Sequence, residues 1–201
     1  MGRYLFANKI LVLAALLIIC GVTIVTCYQS ERSALSETED TSQFVTLTDA
    51  VPDAILEIRY FGTYNFVGTR VDGYLEPTAL LTRKAADSLQ AVSKDVMAQG
   101  YRLKIYDAYR PQMGVDHFVR WSKEIADTLM KPYFYPDLDK SVLFAQGHSI
   151  TATQFANSMI LRKAMLRHGF KPLDSEWWHF TLKEEPFPDT YFTFPVKQLI
   201  R

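Results

Sequence analysis

Two short strings hold the residues best suited to chemistry. The first is Glu176-Trp177-Trp178-His179-Phe180, which sets two tryptophans between a carboxylate and an imidazole. An imidazole can hold zinc, and a zinc-bound water ionises at about pH 7. A carboxylate within hydrogen-bond reach of that water can take its proton. On this reading His179 is a metal ligand and Glu176 a general base. Residues three apart on a regular strand face opposite sides, so the pair needs a bulge or a strand end near Trp177. The string also reads as a strand with large core aromatics, an exposed Glu and a satisfied His.

The second string is Tyr106-Asp107-Ala108-Tyr109-Arg110-Pro111. An arginine at the end of a strand can present its planar fork to a developing oxyanion or a substrate carboxylate. Arg110 can equally pair with Asp107 for structural reasons. The other histidines are less pointed. His117 lies in a helical stretch beside Asp116 and Phe118. His168 falls at a helix C-terminus, where a cation suits the dipole. Both read as structural or surface residues. His148 follows Gly147 in a loop, a position open to a ligand but nonspecific by itself.

These strings must be positioned by a mixed set of elements. Residues 54–60 alternate, with Ala54, Leu56, Ile58 and Tyr60 on one face, as in a half-buried strand. Gly62, Gly68 and Asp72-Gly73 mark turns after it. Over 78–99 the apolar residues Leu81, Ala85, Leu89, Val92 and Val96 recur at helical spacing, with Thr78 as cap and Gly100 just beyond. Residues 101–106 alternate again. A second helix is expected over 112–130, stopped before Pro132, and a proline-bearing aromatic loop over 132–139. A third helix starts at Thr151 and closes at Gly169, and 175–182 is a last strand. Few helices alternate with few strands, which predicts α+β: a small central antiparallel sheet with flanking helices, preceded by an N-terminal hydrophobic helix.

Composition sets the outer limits. The chain has 201 residues, 48% of them apolar and 13% aromatic, which excludes a disordered or collagen-like chain. Basic and acidic residues both number 22, so no nucleic-acid partner is expected. Arg3 and Lys9 precede an uncharged apolar run over 10–26, the pattern of a signal peptide or membrane anchor. It is near the short limit for a span of roughly 17–25 residues. The positive residues before it put the rest of the chain outside the cytoplasm. Ile24-Val25-Thr26-Cys27 resembles a bacterial lipoprotein box, with Thr26 a poor fit. The expected organisation is a signal or anchor over 1–28, a Ser-, Thr- and Glu-rich tether over 29–43, and one folded domain over 44–201.

From about Phe44 to Val196 the chain resembles the bacterial D-alanyl-D-alanine dipeptidases, a zinc enzyme family. The likeness runs through Asn65-Phe66-Val67-Gly68, Val71-Asp72-Gly73-Tyr74 and Tyr106 to Pro111. It continues through Lys131 to Pro136, Ala156-Asn157, Gly169-Phe170, Glu176 to Phe180, Asp189 to Phe192 and Phe194-Pro195. The resemblance implies hydrolysis of D-Ala-D-Ala to D-alanine, with Glu176 as catalytic base, His179 as zinc ligand and Arg110 stabilising the transition state. The family takes two further zinc ligands from a motif S-x-H-x-x-G-x-x-x-D. Here Gly147-His148-Ser149 resembles the start of that motif, but no Gly or Asp follows at the required spacing. The domain is therefore internally shortened near 147–150 by several dozen residues. His148 is either a zinc ligand or a linker residue at the join, and the Asp ligand has no counterpart. A non-catalytic domain that binds D-Ala-terminated peptides is the alternative expectation.

Overall fold

The computed structural model describes residues 36–140, 152–174 and 176–199. In chain order the elements are β1 (Ser36–Thr38), β2 (Phe44–Thr46), α1 (Leu47–Ala50), β3 (Ile55–Leu56), β4 (Leu80–Thr82) and α2 (Arg83–Met97). There follow β5 (Lys104–Ile105), α3 (Gln112–Lys123), α4 (Lys131–Phe134), α5 (Ala152–Arg167), β6 (Phe170–Leu173), β7 (Glu176–Leu182) and β8 (Thr190–Phe192). The expected N-terminal hydrophobic helix lies outside the described residues. Among those described, no helix is long and apolar enough to cross a membrane.

The chain divides into two units, 1–37 with 189–191, and 38–188 with 192–201. In the smaller unit, Ser36 N–H donates to the Asp189 carbonyl at 3.0 Å, and the Ser36 and Thr190 hydroxyls meet at 3.2 Å. The larger unit carries the chemistry.

The mixed α/β character holds, but the single central antiparallel sheet does not. Among the described residues the strands form separate two-stranded ladders. β2 and β4 are antiparallel, as are β6 and β7, whereas β3 and β5 are parallel. The parallel pair has a topological cause. The chain leaves β3, crosses through α2 and returns as β5, and a return through a helix brings a strand back in the same direction. The strand expected over 54–60 is only Ile55–Leu56, because the chain turns from Arg59 onward, where Gly62 N–H reaches back to the Arg59 carbonyl.

The helix expected from Thr78 begins four residues later. Leu80–Thr82 pairs with Phe44–Thr46 instead, and Thr82 caps α2 by accepting from Ala85 N–H. Thr78 is buried. Ala85, Leu89, Val92 and Val96 then form one buried stripe of α2, the apolar face that packs into the core. Gly100 takes φ +82° just past the helix, as a C-terminal glycine should.

α3 stops at Lys123 rather than near Met130. The Lys140 ammonium accounts for the early stop: it donates to the carbonyls of Glu124 at 2.8 Å and Asp127 at 3.0 Å, and it sits 3.7 Å from the Trp121 ring centre. Carbonyls that would continue the helix are satisfied by a charge. Part of the expected 132–139 loop is the short helix α4, with Pro132 in its first turn, where a missing N–H costs nothing. The predicted cap Thr151 lies outside the described residues, and α5 ends before Gly169, at φ +84°.

Candidate active site

β7 brings the first string together. Phe170, Lys171 and Pro172 of β6 face Leu182, Thr181 and Phe180, but Leu173 faces Glu176. Trp177, Trp178 and His179 are therefore extra residues on the β7 side, a bulge where the spacing required one. The bulge turns Glu176 and His179 to the same side, and His179 Nδ1 lies 3.0 Å from Glu176 Oε2. Both side chains are about two-fifths exposed, at 37% and 42%.

The second string is fixed by its neighbours. Tyr109 N–H donates to the Leu80 carbonyl, and its hydroxyl donates to the carbonyls of Phe192 and Phe194, both at 2.9 Å. Its ring stacks on Phe194 at 4.5 Å. Arg110 follows on this clamped loop. Its Nε and Nη2 both donate to Asp107 Oδ2, at 3.1 and 2.8 Å. Its guanidinium lies 5.1 Å from the Tyr60 ring and 4.9 Å from the Phe118 ring. The two alternatives for Arg110 are thus compatible: the residue pairs with Asp107 and still leaves its side chain about a third exposed.

Sequence reasoning passed over two tyrosines that complete this setting. Tyr74 is fully buried and donates to Asp107 Oδ1 at 2.7 Å, so both carboxylate oxygens of Asp107 are engaged. Tyr60 packs edge-on against Tyr74, Phe66 and Phe118. Burial pushes the Tyr60 phenol up to about 12, and the charges of Arg110, Asp107 and Glu176 all bear on it. Tyr60 thus stands within the fields of both strings. Burial also raises the Asp107 carboxyl, against the opposing pull of Arg110 and of the Tyr74 and Arg110 hydrogen bonds. Burial works against charge on Arg110 too, but Asp107 outweighs it and holds the guanidinium charged. Buried phenols need partners, and that requirement was the available signal for Tyr74.

Asn65 organises the loop beneath. It is buried, its amide reaches the carbonyls of Arg59, Gly62 and Thr69, and its oxygen accepts from Val67 and Gly68 N–H. The remaining histidines bind elsewhere. His117 Nδ1 accepts from Asp72 N–H at 3.1 Å, and His168 Nε2 lies 2.9 Å from Asp95. His148 lies outside the described residues.

A carboxylate paired with an imidazole can take a proton from water and pass it on. Comparison with known proteins gives the class its family. The D-ala-D-ala dipeptidase family matches residues 40–137 and 136–197. A D-alanyl-D-alanine dipeptidase of Streptomyces coelicolor is 30% identical over 200 residues, covering 78% of this chain and 99% of that protein. One from Enterococcus faecium is 27% identical, covering 77% and 98%, and one from Escherichia coli is 28% identical, covering 72% and 87%. The chain belongs to the D-Ala-D-Ala dipeptidase family. Because 78% of 201 residues is about 157, some forty of the 200 aligned positions have no residue here.

The resemblance implies zinc, and the described residues do not complete a site for it. A catalytic zinc takes three protein ligands as a rule. Among the described residues no group of three His, Cys, Asp or Glu could hold an ion. His179 offers one imidazole, with Glu176 bonded beside it.

Proposed function

We propose that this chain binds the D-Ala-D-Ala dipeptide beside Tyr60, Arg110, Glu176 and His179, and hydrolyses it to D-alanine. The family supports the ligand, since the relatives are named for it. The observation that carries the site is the bulge that pairs Glu176 with His179. In this reading Arg110 hydrogen-bonds the substrate carboxylate or the oxyanion formed when water adds to the amide carbonyl. Glu176 takes a proton from that water and delivers it to the leaving amine as the C–N bond breaks. Zinc supplies Lewis-acid chemistry to this family, and His179 is the described residue suited to it; no step is assigned to the metal because its ligand set is incomplete.

That incomplete set favours a second reading, recognition of D-Ala-terminated peptides without cleavage. D-alanine release by the full chain, followed beside calorimetry with D-Ala-D-Ala, separates them. Release supports the first reading, and binding without release the second. Neither release nor binding would overturn both.

We place the domain outside the cytoplasm, tethered by its N-terminal segment, where it salvages D-alanine from cell-wall peptide. The uncharged run over 10–26 behind Arg3 and Lys9 supports this. Fractionation of cells carrying the wild type and Cys27→Ala tests it. Recovery of the wild type in the cytosol would contradict it, and release of Cys27→Ala alone from the membrane would assign the tether to a lipid.

A further inference from the structure

We infer that this chain keeps no resident zinc and holds its dipeptide without one. The inference rests on the ligand proposed above and concerns what holds that ligand.

The chain has four histidines and two cysteines. Cys20 and Cys27 both belong to the N-terminal apolar run and its edge, ahead of the tether. His168 pairs with Asp95 of α2 and His117 with the Asp72–Gly73 turn, and among the described residues neither belongs to a group of three donors that could hold an ion. His179 and His148 remain. The stretch 141–151 contains no Asp, Glu or Cys, so it cannot supply the aspartate that the family's motif requires. Asp107, the other acid of the site, has both oxygens bound to Arg110 and Tyr74. Within the proposed site, three donors are reached by adding Glu176 to both histidines. That choice removes the general base, and it breaks the hydrogen bond that pairs Glu176 with His179. Some forty positions of the relative have no residue in this chain. Even changes among groups that only orient zinc ligands weaken binding about 10–100-fold, and losing a ligand outright weakens it further.

Dipeptide recognition keeps its parts. Arg110 is charged, fastened to Asp107 and flanked by Tyr60 and Phe118, yet a third exposed. An arginine fork on a carboxylate is a charge-assisted contact that needs no metal.

The test uses the full chain in detergent. Zinc is measured after purification and gel filtration, then titrated by calorimetry. D-Ala-D-Ala is titrated in chelator and again in added zinc. The expected results are about one zinc per ten chains or fewer, and dipeptide affinities that agree within about threefold in the two conditions. One zinc per chain that survives chelator would overturn the inference, as would dipeptide binding that vanishes in chelator. If a zinc-free chain binds no dipeptide in either condition, the ligand proposed above fails while the absence of resident zinc stands.

Discussion

Arg110 is held as a preset fork. Asp107 takes two of its N–H groups, the Tyr60 and Phe118 rings lie 5.1 and 4.9 Å from it, and Tyr109 clamps the loop that carries it. Lysine has the charge but neither the fork nor the stacking plane. Arg110→Lys should therefore weaken D-Ala-D-Ala binding by about tenfold or more, read by calorimetry. Unchanged affinity would place the ligand elsewhere. Tyr74→Phe removes a partner from a buried carboxylate and should cost about 1–3 kcal/mol, read as a lower urea midpoint. No change in midpoint would mean that water replaces the phenol. The candidate residues Arg110, Glu176 and His179 could be singled out in sequence because each stands in an uncommon string. Tyr60 and Tyr74 were not. Their roles come from burial against Asp107 and Arg110, which sit more than thirty positions along the chain.

At the level of elements, turns and helix ends set the geometry. Gly73 takes φ +85°, and a Cβ there would lie 2.6 Å from Met113 Cγ and 2.7 Å from Pro111 Cγ. Its carbonyl also receives Val196 N–H at 2.7 Å. Gly73→Ala should destabilise the fold by at least about 1–2 kcal/mol from backbone strain alone, measured by thermal or urea unfolding. An unchanged melt would show that the turn relaxes. The ends of α2 and α5 are tied through Asp95. Hydrogen bonds from His168 and then Arg167 hold its carboxyl below the ordinary 3.8. A depressed carboxyl stabilises the fold above its unfolded value and loses that contribution as pH falls through the folded one. Wild type should thus exceed Asp95→Asn in urea midpoint at pH 6, and the gap should close below about pH 3.8. A gap that is constant with pH would argue against the tie. Helical periodicity revealed α2 because its stripe is buried along its whole length. It overran α3, since Ile125 and Leu129 continue the spacing but are exposed and the Lys140 ammonium takes the nearby carbonyls. Strands of two or three residues are too short for alternation to fix their partners, so β3–β5 pairing could not be foreseen as parallel.

At the scale of the whole molecule, the chain is nearly full length by its relatives' boundaries and short inside them. It spans 99% of one relative with about four-fifths of its own residues. Where the relative's unmatched positions fall was read in sequence from a motif that begins at Gly147-His148-Ser149 and does not continue, in a stretch outside the described residues. The described residues hold Arg110 on its clamp and Glu176 paired with His179. The most direct test is calorimetric titration of the full chain with D-Ala-D-Ala, beside Arg110→Ala. Saturable one-to-one binding by the wild type and its loss in the variant are predicted. No saturable heat with the wild type, or undiminished binding by Arg110→Ala, would contradict the account.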